Sequence, residues 1–244
     1  QGQPLHAYDA DLLDKIVGRK VTANDFGIRH ANEGESIEAL HKKSYSLNNN
    51  ISLITCDNIP IAIAGVIGGN NSSVSKDTTR IWLEAAVFSP TSIRNSSREI
   101  GLRTESSSRF EKGISPNMTT AVSRRASDLI AVQLGGNNIS SYENNEFIRS
   151  NISISLRVNR INSVLGKIKY LENTNKDKNS ESLRNLSKHE IELILTKLGC
   201  ILTPNIEGWD VKIPPYRSLD LVREIDLIEE IARLIGYDNF ESNM

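Results

Sequence analysis

Residues Ile61 to Gly113 read IAIAGVIGGNNSSVSKDTTRIWLEAAVFSPTSIRNSSREIGLRTESSSRFEKG, and the order of signals in this stretch decides the fold class. It opens on an apolar run, Ile61 to Val66, which predicts a buried strand closed by a glycine turn at Gly68 and Gly69. A second apolar run, Ile81 to Phe88, carries one acid, Glu84. A carboxylate amid such hydrophobicity is costly unless it is paired or hydrogen-bonded. Glu84 therefore reads in two ways: on the solvent face of a half-buried strand, or lining a pocket that awaits a polar ligand group. Ser89 and Pro90 give an N-cap and a first-turn proline to a short helix that Gly101 ends. The segment GLRTESSSRFEKG, Gly101 to Gly113, is rich in hydroxyls and alternating charge, and predicts a solvated loop of the kind that carries binding groups.

Working outward, GQPLHAYD (Gly2 to Asp9) predicts a loop or turn, leading to a helical or extended piece around Leu12 and Leu13. His6 in that turn reads as a surface or capping group unless something else recruits it. Ile16 to Ala23 and Ile51 to Thr55 predict strands with polar, Asn-rich connections. His30 and His41 carry no assigned role. Ser115 and Pro116 start a further helix with Met118, Val122, Ala126, Leu129 and Ile130 on one face, stopped by Gly135 and Gly136. Strands and helices that do not alternate regularly predict an α+β domain with a mixed or antiparallel sheet. There is no GxGxxG, P-loop or GxSxG pattern, so nucleotide cradling and serine-hydrolase chemistry find no support.

A polar stretch with Asn144 and Asn145 sets a boundary near Ser150, dividing the chain into domains 1–149 and 150–244. In the second, Ile152 to Leu156 alternates like a strand, and Val158, Ile161 and Leu165 make a helix face. Asn173 to Ser187 is a polar surface insertion. Ser187 and Glu190 form a capping box for a helix burying Ile191, Ile194, Leu195 and Leu198, which makes His189 a first-turn structural residue. Ile201 to Thr203 and Trp209 to Ile213 predict a hairpin, so the domain reads as a small winged-helix-like α+β module. Asp220 to Ile235 is the last helix, with Leu221, Ile225, Ile228, Ile231 and Ile235 as its apolar stripe. Asp226, Glu229 and Glu230 sit at i, i+3 and i+4, and Asp220 lies one to two turns earlier. Such a cluster reads as a solvated acidic face or as oxygen ligands for a hard cation.

The chain has 244 residues, 38% hydrophobic and 24% charged, as an ordinary globular protein does. Its net charge of -1 hides two patches. Arg94 to Arg125 holds seven basic residues against three acids, which suits a phosphate backbone or a mixed surface; Asp220 to Glu230 holds five acids against Arg223. The two cysteines, Cys56 and Cys200, fit no metal-ligand spacing and read as small core residues of a reducing compartment. No stretch predicts a membrane span or a signal peptide. The chain starts at Gln1 inside what reads as a motif, as a fragment would.

AGVIGG, LEAAVFSPTSIR, GLRTESSSRFEKG and GQPLHAYD resemble the editing module of bacterial phenylalanyl-tRNA synthetase beta chains. LRVNRINSVLG, LGC and PPYRSLDLVREIDLIEEIARLIGYDN resemble the small domain that follows it. The resemblance implies hydrolysis of mischarged tyrosyl-tRNA(Phe), with tRNA(Phe) and a synthetase alpha subunit as partners and a cytoplasmic location. It implies that Glu84 reads the tyrosine hydroxyl and His6 orients substrate or water, with Ala64 and Gly65 as small wall positions and Ser106 where the family often has Ala. It also implies a magnesium site at Asp220, Asp226, Glu229 and Glu230. Ser108 stands where the family has His. Two readings other than a hydrolase stay open: a tRNA-binding and alpha-docking scaffold, and a general nucleic-acid binder using the Arg94 to Arg125 patch.

Overall fold

The computed structural model describes residues 2–138, 140–143, 153–171 and 181–241. They form two compact units, residues 1–148 and 149–244, with separate apolar cores. Both are α+β, built from small antiparallel sheets.

In the first unit, β1 (His6–Asp9) runs into α1 (Ala10–Val17). Next come β2 (Phe26–His30), β3 (Ser36–Glu38), β4 (Ser44–Ser46), β5 (Ser52–Cys56), β6 (Ile59–Ile63) and β7 (Ile67–Gly68). β8 (Ile81–Glu84) and the helices α2 (Pro90–Glu99), α3 (Glu105–Phe110) and α4 (Thr119–Leu134) complete it. One sheet has the order β2-β5-β6-β7, while β3 pairs with β4 and β1 with β8. The β5–β6 hairpin turns on Asp57 (φ 49°) and Asn58 (φ 65°), the pair of positive φ values that a tight hairpin requires and that Asn and Asp tolerate. α2 begins and ends where the sequence indicates, with Ser89 as N-cap, Pro90 at its first position and Gly101 beyond its end.

Four local expectations are corrected. GQPLHAYD is not all loop, because His6–Asp9 pairs with β8. Ile16 to Ala23 is not a strand. Asp9 caps α1 by accepting from the Asp11 and Leu12 amides at 2.9 Å, and the helix runs through Val17 to Gly18 (φ 78°). The turn after β6 falls at Gly65 (φ 66°) rather than at Gly68 and Gly69. GLRTESSSRF contains α3: Thr104 and Ser107 form a capping box, and Ser107 and Phe110, one turn apart, face the core.

In the second unit β9 (Ser153–Arg157) leads to α5 (Val158–Leu165), β10 (Ile168–Leu171) and β11 (Glu181–Arg184). α6 (Lys188–Lys197), β12 (Ile201–Pro204), β13 (Gly208–Lys212) and α7 (Glu224–Ile235) follow. The sheet order β12-β13-β9 contains the expected hairpin, and Ser187 caps α6 with Glu190 answering it. The boundary residue Ser150, the strand start Ile152 and Asn173 to Ser180 of the expected insertion lie outside the described residues; Glu181–Arg184 is strand. The last helix starts at Glu224, so Asp220 precedes it, and Ile225 is exposed while Leu227, Ile228 and Ile231 face the core.

Candidate functional site

Two antiparallel strands, one near the start and one near the middle of the first unit's sequence, meet in β1 and β8, and the register sets His6 directly opposite Glu84 and Tyr8 opposite Trp82. Residues two apart on a strand share a face. His6, Tyr8, Trp82 and Glu84 therefore line one side of the ribbon. Tyr8 is 1% exposed. Its ring stands edge-on to His6 with centroids 4.5 Å apart and tilts against Phe26 at 6.2 Å, which in turn packs on Trp82 at 5.1 Å. Asp9 and Arg80 hold the far end of the ribbon. Asp9 accepts from Thr78, and Arg80 reaches Asp11 and, at 2.7 Å, Asp14 on α1.

Across this face Tyr8 Oη donates a hydrogen bond to Glu84 Oε2. Among the described residues, no Lys or Arg pairs with Glu84. The residue is half-buried, yet its carboxyl lies deep enough for burial to dominate, lifting its pKa to about 7 against the downward pull of the Tyr8 hydrogen bond. The same burial, the Glu84 charge and the shared hydrogen bond push the Tyr8 phenol up, so it stays a donor. Burial also lowers the pKa of His6, leaving a neutral imidazole at neutral pH. His6 Nε2 is enclosed and has no hydrogen-bond partner among the described residues. Gln3 Oε1 is in the same condition, although Gln3 Nε2 donates to the Ala86 carbonyl at 2.7 Å. Buried polar atoms are ordinarily satisfied, and leaving one bare costs about 1–3 kcal/mol. Two of them beside one ribbon mark a place for a ligand or for water.

The turn between β6 and β7 forms the neighbouring wall. Ala64 is fully buried. Gly65 has room for no side chain: a Cβ there would stand 2.6 Å from Ile93 Cδ1 and 2.9 Å from Phe88 Cδ2. Ser106, at the start of α3, donates to the Gly65 carbonyl at 2.9 Å, and Thr104 donates to the Val66 carbonyl at 2.8 Å. Gly68 links this wall to the ribbon, since a Cβ on it would come within 2.5 Å of His6 Nε2. A hollow of about 490 Å³ opens alongside, lined by Gly2, Gln3, Pro4, Glu105, Ser106 and Arg109. The basic residues Arg94, Arg98, Arg103, Arg109, Lys112, Arg124 and Arg125 are all exposed.

His6 and Glu84 are thus cross-strand neighbours, and Gly65 with Ser106 is a hydrogen-bonded pair. Tyr8 and Gln3 join them without having been singled out in the sequence, as does Gly68, read there only as a turn residue. The signal for Tyr8 was its position two residues from His6 in a stretch that turns out to be strand; Gln3 gave none.

The four acids of the second unit do not form a ligand set. Glu230, 9% exposed, is held by Arg217 at 2.9 Å and Arg233 at 2.5 Å, which keep its pKa down at about 2. Asp220 pairs with Arg217 at 2.7 Å. Asp226 accepts from the amides of Val222 and Arg223 and pairs with the Arg223 guanidinium at 2.9 Å. Glu229 is exposed. Among the described residues no three His, Cys, Asp or Glu side chains gather as a metal site would need. Three guanidiniums occupy the oxygens that magnesium would take, so the residues as arranged do not fit that ion. Cys56 and Cys200 are buried free thiols, and burial pushes Cys56 up to about 11. No helix among the described residues is long and apolar enough to cross a membrane.

Residues 1–135 match the B3/4 domain family, and residues 154–237 match the family described as tRNA synthetase B5 domain. The whole chain is 70% identical to a phenylalanine–tRNA ligase beta subunit of Prochlorococcus marinus strain NATL2A, covering 30% of that protein. It is 48% identical to the beta subunit of Prochlorococcus marinus strain MIT 9312 and 44% identical to that of Synechococcus sp. strain CC9902, covering 29% of each. The chain therefore spans about 30% of the length of the curated relatives it matches. With one domain family matched over more than half of its residues and a second over most of the remainder, the chain belongs to the B3/4 and B5 domains of phenylalanyl-tRNA synthetase beta chains.

Proposed function

We propose that the first unit hydrolyses the ester of tyrosyl-tRNA(Phe), removing tyrosine joined in error, within a phenylalanine–tRNA ligase of alpha and beta subunits. The observation that carries this reading is Glu84: a carboxyl drawn out of water, paired with a phenol instead of a cation, opposite an imidazole whose Nε2 has no hydrogen-bond partner among the described residues. Tyrosine and phenylalanine differ by one hydroxyl. An apolar pocket separates them poorly, whereas a site built to hydrogen-bond the hydroxyl rejects the analogue lacking it by about 10⁴–10⁵. Glu84 accepts from the substrate phenol, and with phenylalanine its carboxylate stays underpaired. Ala64, Gly65 and Gly68 keep this wall to small residues packed against Phe88, Ile93 and the His6 ring, with Ser106 adding a polar edge.

An aminoacyl ester is already activated, so positioning a water molecule supplies much of what hydrolysis needs. Neutral His6 accepts a hydrogen bond from that water at Nε2. Water oxygen adds to the carbonyl carbon, the bond to the ribose oxygen breaks, and the proton passes to that oxygen. The exposed arginines from Arg94 to Arg125 suit the tRNA backbone. The chemistry is carried entirely by the first unit, and no step is routed through magnesium. A cytoplasmic location goes with this reading.

The scaffold reading has one observation in its favour, since Tyr8 already hydrogen-bonds Glu84 without any substrate. Deacylation of tyrosyl-tRNA(Phe) beside phenylalanyl-tRNA(Phe) separates the two. Hydrolysis favouring the tyrosyl ester, reduced at least about 100-fold by Glu84→Ala or His6→Ala with folding intact, is expected. tRNA binding without any acceleration of deacylation supports the scaffold instead.

A further inference from the structure

We infer that Tyr8 is a specificity-setting positioning residue: its phenol holds one oxygen of Glu84 so that the other is left to accept the hydroxyl of an incoming aromatic ester. The inference rests on the hydrolytic reading above and deepens it. Only Oε2 of Glu84 receives a hydrogen bond among the described residues, and it comes from Tyr8. An ionised carboxylate has about four acceptor sites, so a second phenol fits beside the first. Tyr8 cannot swing away cheaply, being 1% exposed, edge-on to His6 and tilted against Phe26.

The phenol also sets the charge state on which discrimination depends. A carboxylate accepts strongly and suffers when underpaired, whereas a protonated carboxyl donates, accepts weakly and tolerates phenylalanine. Burial favours the protonated form and the Tyr8 hydroxyl favours the carboxylate. The other titratable groups on elements packed against β8 are His6 and Asp9 on β1, Lys15 and the acids Asp11 and Asp14 held by Arg80 on α1, and Arg124, Arg125 and Asp128 on α4. Burial and Tyr8 are the two influences that shift Glu84.

The test measures deacylation of tyrosyl- and phenylalanyl-tRNA(Phe) against pH in the assembled ligase carrying Tyr8→Phe. In the unsubstituted enzyme the preference for the tyrosyl ester should rise through about pH 7. In Tyr8→Phe the midpoint should move up by about one pH unit, and the preference at neutral pH should fall roughly fivefold, recovering at alkaline pH. A uniform loss of rate with the midpoint unmoved would mark Tyr8 as structural and overturn the inference. Should Tyr8→Phe fail to fold, a fluorinated tyrosine at position 8 keeps the shape and donates more strongly. The midpoint should then move down, and an unmoved midpoint overturns the inference. If Glu84→Ala abolishes the preference while both Tyr8 replacements leave the profile untouched, only the Tyr8 inference fails. If the unsubstituted enzyme shows no tyrosyl preference at any pH, the hydrolytic reading fails and takes the inference with it.

Discussion

Glu84 and Glu230 are both glutamates withdrawn from water, and their surroundings treat them in opposite ways. Glu230 sits against the second core between Arg217 and Arg233, and its pKa is down at about 2. Glu84 sits beside the first core with one phenol for company, and its pKa is up at about 7. The ordinary value for both is 4.5. A buried carboxylate given two guanidiniums has its bonding capacity spent, and what it does is hold its unit together. One given a lone hydroxyl keeps an unmet demand for a donor, and perturbed groups of that kind gather at functional sites. Acidity in a sequence is thus a poor guide to chemistry until the cations around it are known.

The contrast breaks most visibly at Arg217. Arg217→Ala leaves Glu230 with one ion-pair partner and Asp220 with none among the described residues, so unfolding of the second unit should become easier by about 3 kcal/mol near neutral pH, read by urea denaturation. Because the pKa of Glu230 is depressed, the stabilisation it receives is complete above about pH 4.5 and disappears as pH falls towards about 2. The variant and parent curves should therefore converge in acid. Gly68→Ala is the next in size. The added methyl enters the space of the His6 ring, so the imidazole must move, at an expected cost of about 2 kcal/mol and with a changed His6 resonance in NMR spectra. Smallest is Glu84→Gln. An acid whose folded pKa is raised loses folding stability as pH climbs from about 4.5 to about 7. The amide removes that loss. The full shift corresponds to about 3 kcal/mol, but water screens the carboxylate of a half-buried residue and the amide accepts more weakly from Tyr8, so the variant should gain about 1 kcal/mol above neutrality and nothing below about pH 4.5, as calorimetry at the two pH values would record. A gain at both ends would mean that Glu84 is not the titrating group.

Local grammar made part of this molecule legible in advance. Ser89 with Pro90, and Ser187 with Glu190, announce helices by chemistry confined to one turn, and both helices start there. The Glu84 dilemma was legible too, because a charge in an apolar run is conspicuous. Its solution was not, since the partner Tyr8 lies 76 residues away and only strand register brings the two together. The helix at Glu105 to Phe110 was hidden because its six residues include three serines, and its stability comes from the Thr104 cap and the burial of Ser107 and Phe110. Spacing along the last helix suggested a cation site. It said nothing of Arg217, which folds back onto Glu230 from 13 residues upstream, although Arg233 one turn downstream was a clue in plain sight.

The pairing of β1 with β8 also has a meaning in time. Ribosomes add about 5–20 residues per second, so the 76 residues separating Tyr8 from Glu84 take roughly 4–15 s to make. During that interval the imidazole and the phenol exist without their acid, on a segment whose complementary edge has yet to be synthesised. The β1–β8 face consequently cannot close before residue 84 is made, and a pause between the two strands lengthens the period in which β1 is open to pairing with something else.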